Sequence, residues 1–241
     1  LKGAAVATGL AQTIPTIGYL AYFLSPKSYL KFRKFKLKAF MVKEIFSYGF
    51  PASLSELSSG FCTLVLNLAV ARLYGEEGLA AFSVIAYVMI FVVNTMLAIN
   101  QSSQPLIGYY YGAREFDKIP ILRKYMLISV ASLSLIMVLA IEIWPEFFVN
   151  VFLTDVTSEF MAFASKALRI FSISFLILGF NITNGGYLTA VAKPRFEFII
   201  TILRGYALVL AVSFIITNFM PKEYIWSTIT ISDFLTLIIG Y

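Results

Sequence analysis

The stretch Phe50-Pro-Ala-Ser-Leu-Ser-Glu-Leu-Ser-Ser-Gly-Phe-Cys-Thr-Leu-Val-Leu-Asn67 lies within an apolar run, residues 45–71, that is long enough to cross a bilayer. A helix beginning at Ile45 places Glu56 about 16 Å along its axis, near the middle of a ~30 Å hydrocarbon core. A charge at this depth is costly unless it is paired, protonated or hydrated, so such residues usually line pathways. The stretch therefore predicts a transmembrane helix that carries a functional carboxylate.

Small and polar side chains recur at spacings of three and four along this helix, so they share one face. They are Ser53, Glu56, Gly60, Thr63 and Asn67. The stripe predicts that one face of the helix lines a water-accessible cavity.

Composition restricts the class of protein. Hydrophobic residues make up 59% of the 241 residues and charged residues 13%, whereas soluble domains carry about 25% charged residues. With a mean hydropathy of +0.84, this is an all-α membrane protein, and its net charge of +6 does not indicate nucleic acid. Without histidine and with one cysteine, we expect no disulfide, no firm metal site and no histidine-based catalysis, and therefore no enzyme. We expect no cofactor.

Apolar runs separated by charged or Pro/Gly-containing breaks predict seven transmembrane helices. They cover residues 4–24, 45–71, 79–111, 121–144, 160–191, 196–217 and 224–241. Residues 25–43 are basic and contain no acid, so this loop is predicted to be cytoplasmic, and the basic break at 113–120 likewise. The acidic break at 74–78 is predicted to lie outside a plasma membrane that the chain crosses several times.

Arg204 and Asp233 are also placed near the middle of the membrane. Counted from the predicted cytoplasmic side, Arg204 lies about 12 Å deep and Asp233 about 17 Å deep, close to the depth of Glu56. The three side chains either form a static ion-pair network that joins helices or take part in function. The poor stabilisation given by buried ion pairs favours function.

Two further helices carry polar positions in otherwise apolar surfaces. In the third span these are Tyr87, Asn94 and Gln101, and in the fifth Asn181 and Asn184. Amides inside a membrane either hold helices together or line a pathway, and both interpretations remain open. Together with the stripe of the second span, they favour a shared cavity.

Several motifs resemble the multidrug and toxic compound extrusion (MATE) family, especially its bacterial branch. The most specific is Asn100-Gln-Ser-Ser-Gln-Pro-Leu-Ile-Gly-Tyr-Tyr-Tyr-Gly-Ala113, which is similar to the signature N-Q-x-x-Q-P-x-x-G-Y-x-Y-G-A. The others are Lys2-Gly-Ala-Ala-Val-Ala-Thr8, Gly49-Phe-Pro51, Gly78-Leu-Ala-Ala-Phe82, Ala190-Val-Ala-Lys-Pro-Arg195 and Trp226 through Asp233. Ala192 stands where the family usually has glycine.

The resemblance implies twelve helices in two six-helix lobes that face a central cleft. Residues 1–24 would then be the last helix of the N-terminal lobe, 25–43 the interlobe loop and 44–241 the C-terminal lobe. The N-terminal lobe would be missing from this sequence.

Family members exchange Na⁺ or H⁺ for organic cations and drugs, so the resemblance implies a cation-coupled antiporter. One branch uses an acid eight residues after the proline of the seventh helix, a position that is Ser59 here, whereas Glu56 lies one turn earlier. We therefore expect coupling at Glu56, Asp233 and Arg204, with Na⁺ at Glu56 as one option, and amphiphilic or cationic substrates beside the polar residues of the cavity.

Two other functions compete with this interpretation. A lipid-linked saccharide flippase of the same superfamily would need a cleft rich in Arg and Lys, whereas the mid-membrane charges here are two acids and one arginine. A non-transporting membrane scaffold or receptor would show no ion-dependent flux and would tolerate neutralisation of these acids.

Overall fold

The computed structural model describes residues 2–26, 28, 38–153, 156–191 and 194–240, and within these ranges the chain forms helices and short turns with no strand. It divides into two compact units, Leu1–Ile45 and Phe46–Tyr241. The first unit contains α1 (Lys2–Leu24), which matches the first predicted span. The assignment of these units to lobes of a larger protein stays a prediction.

Helix α2 (Ala39–Gly112) is interrupted at Gly75, where φ is 64° and ψ is −145°. This backbone conformation is accessible essentially to glycine alone. Three residues later, a Cβ on Gly78 would lie 2.4 Å from Cβ of Tyr74, so only glycine fits this close approach. The two glycines thus separate α2 into two arms, 39–74 and 76–112, which correspond to the second and third predicted spans.

The remaining chain winds through shorter helices, several of which are joined with little or no loop. They are α3 (Ile119–Ile143), α4 (Pro145–Phe152), α5 (Ser158–Ser172), α6 (Ser174–Ala190), α7 (Pro194–Ile202), a π-helical turn (Leu203–Leu208), α8 (Val209–Phe219), a 3₁₀ turn (Lys222–Ser227) and α9 (Thr228–Gly240). Helix α6 packs against both α3 and α9, which places it in the interior of the bundle.

Four segments are long and apolar enough to cross a membrane: Glu56–Gly112, Ile119–Ile143, Ser158–Ala190 and Phe196–Phe219. They confirm an all-α membrane protein, while the count of seven spans stays a prediction. Most of the predicted basic loop, residues 27 and 29–37, lies outside the described residues. The sidedness of the loops also stays a prediction.

The bundle of the second unit has two distinct ends. At the Gly75 end, where the arms of α2 meet, the rings of Tyr74, Phe163 and Trp226 pack with centroids 5.1–6.1 Å apart. Ion pairs join Lys166 to Glu223 and Arg169 to Glu142 there. At the Gly112 end, a small apolar cluster is formed by Ile107, Ile119, Met126 and Val191.

Candidate functional site

A cavity of about 190 Å³ lies between the two arms of α2, α6, the π-helical turn and α9. It combines an apolar wall with a polar wall. Its polar and charged lining residues are Glu56, Ser58, Ser59, Cys62, Asn94, Arg204, Ser232 and Asp233. The structure therefore brings the three ionisable residues of the mid-membrane prediction to one space.

Asp233 is the most buried ionisable group in this cavity, with 2% of its surface exposed. The Nδ2 amide of Asn181 donates to Oδ1 of Asp233 at 3.2 Å and to the Asp233 backbone carbonyl at 3.1 Å. The Nε atom of Arg204 lies 3.9 Å from the same Oδ1, beyond hydrogen-bond distance. Arg204 therefore attracts the Asp233 carboxylate by charge but forms no direct hydrogen bond with it.

Several buried polar atoms around Asp233 lack a hydrogen-bond partner within the described part of the chain. They are Oδ2 of Asp233, Oδ1 of Asn181 and Oγ of Ser232. An unsatisfied buried acceptor costs about 1–3 kcal/mol of stability. A proton or cation bound among these acceptors would interact with them and offset that cost. No cluster of three or more Asp, Glu, Cys or His residues that would bind a metal occurs in the described ranges.

Glu56 lies on the open wall of the cavity and is exposed. Among the residues that the structure covers, its carboxylate has no ion pair or side-chain hydrogen bond. The helix that carries it is held to the π-helical turn by two bonds: the hydroxyl of Tyr206 donates to the Leu54 carbonyl at 2.9 Å, and Sγ of Cys62 donates to the Gly205 carbonyl at 3.4 Å. Glu56 is thus a free carboxylate on a fixed helix.

A close helix contact keeps Arg204 beside this wall. Gly205 is buried, and a Cβ on it would lie 2.4 Å from Cβ of Ser58. The absence of a side chain at 205 therefore allows the π-helical turn to approach α2, and the neighbouring guanidinium reaches the cavity.

The other predicted site residues divide into two groups. Ser59 and Asn94 line the cavity, and Asn181 lies directly behind Asp233. The residues that the structure places away from this cavity are Ser53, Thr63, Asn67, Tyr87, Gln101 and Asn184. Tyr87 stacks on Phe152, with ring centroids 5.2 Å apart, and Asn184 accepts a 2.7 Å hydrogen bond from Arg123.

Sequence reasoning missed one partly buried acid, Glu197, which lies on the helix that carries Arg204. It precedes Arg204 by seven residues and has Thr201 between them, so the three lie on one helix face. That i, i+4, i+7 spacing could have indicated that Glu197 shares a helix face with Arg204. It was missed because Glu197 comes directly after the predicted start of its span.

Comparison with known proteins identifies related sequences and folds. A model of the MatE family matches residues 51–216. The multidrug export protein MepA of Staphylococcus aureus (strain MSSA476) is 26% identical over 228 residues, which cover 93% of this chain and 49% of that protein. MepA of Staphylococcus saprophyticus is 24% identical over 209 residues, covering 86% of this chain and 46% of that protein.

Solved structures share the fold at low sequence identity. An outward-facing multidrug resistance MATE family transporter of the MOP superfamily aligns with a TM-score of 0.86 at 22% identity, covering 99% of this chain and 54% of that one. A MOP superfamily transporter from Pyrococcus furiosus aligns with a TM-score of 0.87 at 21% identity, covering 99% and 54%. The chain thus spans about half the length of the relatives that it matches.

Proposed function

Because the chain belongs to the MatE family, we propose that it forms the C-terminal lobe of a plasma-membrane antiporter that exports amphiphilic or cationic compounds in exchange for H⁺ or Na⁺. The observation that carries the proposal is the cavity shared by Glu56, Arg204 and Asp233. Its acids outnumber its cations, which suits exchange of positive charge. The last helix of an N-terminal lobe, residues 1–24, and the cytoplasmic loops 25–43 and 113–120 belong to the same proposal.

The size of the cavity separates the site of the ion from the site of the exported compound. About 190 Å³ holds roughly six water molecules at ~30 Å³ each, whereas sites for drug-sized ligands have volumes of about 300–1,000 Å³. We therefore assign the coupling ion to this cavity. The exported compound would bind on the exposed face of α2, in a cleft shared with the other lobe.

The exposed face of α2 supports this division. Ser53, Glu56, Tyr87, Asn94 and Gln101 are exposed along the two arms of the helix, in a chain whose other exposed side chains are largely apolar. A polar stripe next to aromatic rings suits amphiphilic cations, which are attracted both by carboxylates and by ring faces.

Mutual exclusion is the mechanism that this arrangement favours. A proton or Na⁺ bound by Glu56 and Asp233 neutralises the negative charge that would attract a cationic compound. When the cationic compound reaches Glu56, it favours release of the ion, because one carboxylate cannot neutralise the charge of the ion and the charge of the compound at the same time. Arg204 limits the negative charge of the site when neither is bound.

Dye efflux from vesicles that contain the full-length protein tests this proposal, with Na⁺ and proton gradients imposed separately. We expect Glu56→Gln to abolish ion-driven efflux while leaving expression intact. The matched control is Glu76→Gln, an exposed acid on the same helix, which should retain efflux.

Two results would contradict the proposal at different levels. Normal ion-driven efflux by Glu56→Gln would remove Glu56 from the mechanism. If neither gradient drives efflux by the unmodified protein, antiport itself is wrong, and the scaffold or receptor alternative replaces it.

A further inference from the structure

Glu197 is held in an unusual position for an acid inside an apolar segment. It lies in the first turn of α7, and its carboxylate presses against the backbone of α6, where a Cβ on Gly185 would lie 2.4 Å from Oε2. The hydroxyl of Thr201 donates to Oε1 at 3.2 Å. Oε2 is buried without a hydrogen-bond partner among the described residues. The glycine thus creates the space in which this carboxylate is kept.

Two polar side chains, Thr201 beside Glu197 and Asn181 beside Asp233, form what we call the polar path. Thr201 and Asn181 are 2% and 3% exposed, and they contact Glu197 and Asp233 respectively. Gly185 and Asn181 are one turn apart on α6, while Glu197 and Arg204 are two turns apart, about 10 Å along the axis. The path therefore leads from the cavity towards the Gly112 end of the bundle.

Arg204 shares a helix face with Glu197, seven residues earlier, and its Nε lies 3.9 Å from Oδ1 of Asp233 on α9. The other titratable groups facing it are Glu56 and Cys62 from α2. On the α6 side, Arg123 of α3 donates to Asn184 and lies 4.8 Å from the ring centre of Tyr187. Arg204 thus has one carboxylate on its own helix face, that of Glu197, and a second on a neighbouring helix, that of Asp233.

The backbone beneath Arg204 departs from regular α-helical geometry. Leu203–Leu208 form a π-helical turn between two α-helical segments. Such turns are rare and frequently occur at functional sites, because the altered hydrogen-bond register lets a helix adjust locally without unfolding. The 3.9 Å separation from Asp233 shows that no direct hydrogen bond has to be broken when the guanidinium moves.

We propose that Glu197 is a second counter-ion for Arg204, and that the guanidinium shifts from Asp233 towards Glu197 when Asp233 takes up the coupling ion. This inference rests on the proposed function and deepens it. When the coupling ion neutralises both Glu56 and Asp233, Arg204 without Glu197 would be left as an unpaired cation inside the membrane, which is strongly unfavourable. Glu197 is therefore a positioning residue that makes ion uptake at Asp233 easier through Arg204.

Infrared titration of the purified full-length protein in lipid tests the proposal without requiring transport. The absorbance of protonated carboxyl groups is followed against pH, first without Na⁺ and then with Na⁺ added, and Asp233→Asn identifies the signal of Asp233. We expect Glu197→Gln to weaken ion uptake at Asp233 about tenfold, the size of a charge interaction across ~10 Å of partly polar protein. In the proton case this moves the midpoint about one pH unit in the acid direction.

Gly185→Ala provides a second variant that changes no charge. Its methyl group would displace the flexible carboxylate of Glu197, so we expect a shift in the same direction and smaller in size. Gly186→Ala is the matched control, because its Cβ would meet the amide of Asn100 instead, and it should leave the midpoint unchanged. Glu159→Gln, an exposed acid in the first turn of α5, controls for the loss of one negative charge.

The outcomes distinguish this inference from the function on which it rests. If Asp233→Asn removes a titrating signal and both Glu197→Gln and Gly185→Ala leave that signal unshifted, Glu197 is not a counter-ion and only this inference is wrong. If Asp233 shows no ion-linked signal in the unmodified protein, the coupling role of Asp233 is wrong as well, and this inference falls with it.

Discussion

The ion pairs at the Gly75 end and the charges of the cavity differ in both exposure and separation. At the Gly75 end, Nζ of Lys166 lies 3.1 Å from Glu223, and both side chains are 62% exposed. In the cavity, Arg204 and Asp233 are 3.9 Å apart with side chains 19% and 3% exposed. The exposed charges are thus closely paired, although an exposed ion pair contributes little to stability. The buried charges are loosely paired, although the loss of a partner costs most in the interior. A loose pair in the interior is poorly suited to stability and well suited to exchanging partners.

The largest effect on stability is expected from removal of the buried cation. Arg204→Met leaves Asp233 without a charged partner, so we expect the free energy of unfolding to fall by about 3–5 kcal/mol. Thermal or denaturant unfolding in detergent micelles measures the loss. The double variant Arg204→Met/Asp233→Leu removes both charges and should recover most of it. A double variant as unstable as Arg204→Met would show that the loss comes from packing rather than from an uncompensated charge.

A smaller effect is expected where the π-helical turn meets α2. Gly205→Ala forces a methyl group against Cβ of Ser58 and should lower the free energy of unfolding by about 1–3 kcal/mol. It should also impair ion-driven efflux, because the contact positions Arg204. Gly60→Ala on the same helix as Ser58 is the control, since a Cβ there has nothing within 4 Å. Equal stability of the two variants would remove this contact from the account of the site.

The smallest effect is expected from the exposed pair at the Gly75 end. Glu223→Gln should change the free energy of unfolding by less than about 1 kcal/mol, and the difference should shrink further at high salt. Unfolding measured at two ionic strengths checks this. A loss as large as that of Arg204→Met would show that the exposed pair stabilises the protein as much as the buried charges do.

The sequence was most informative where a single residue contradicts its surroundings. Glu56, Arg204 and Asp233 stand out because a charge in an apolar run is costly wherever the helices pack, and counting the rise per residue was enough to place them at a similar depth. The break at residues 74–78 was likewise visible from its glycines and acids. The structure then brought the three charges to one cavity.

Residues whose role depends on neighbouring helices were less predictable. The sequence gives no sign that Gly205 packs on Ser58 or that a π-helical turn surrounds it, because both depend on how α2 approaches that segment. Tyr87 and Gln101 lie on the predicted polar face but away from the cavity. Residues that share one face of a long helix are spread along its length, so they do not all line the same cavity. Glu197 was hidden by its position next to a predicted helix end.

The aromatic cluster at the Gly75 end also provides an internal optical reporter. The chain has two tryptophans, of which Trp144 is 61% exposed and Trp226 is 3% exposed. Trp226 packs against Tyr74 and Phe163, and the ammonium of Lys222 lies 4.7 Å from the Tyr74 ring centre. The emission of a buried indole in contact with rings from two other helical segments depends on their spacing. With Trp144 replaced by phenylalanine, the tryptophan emission of this chain would report the separation of these segments, without any attached dye.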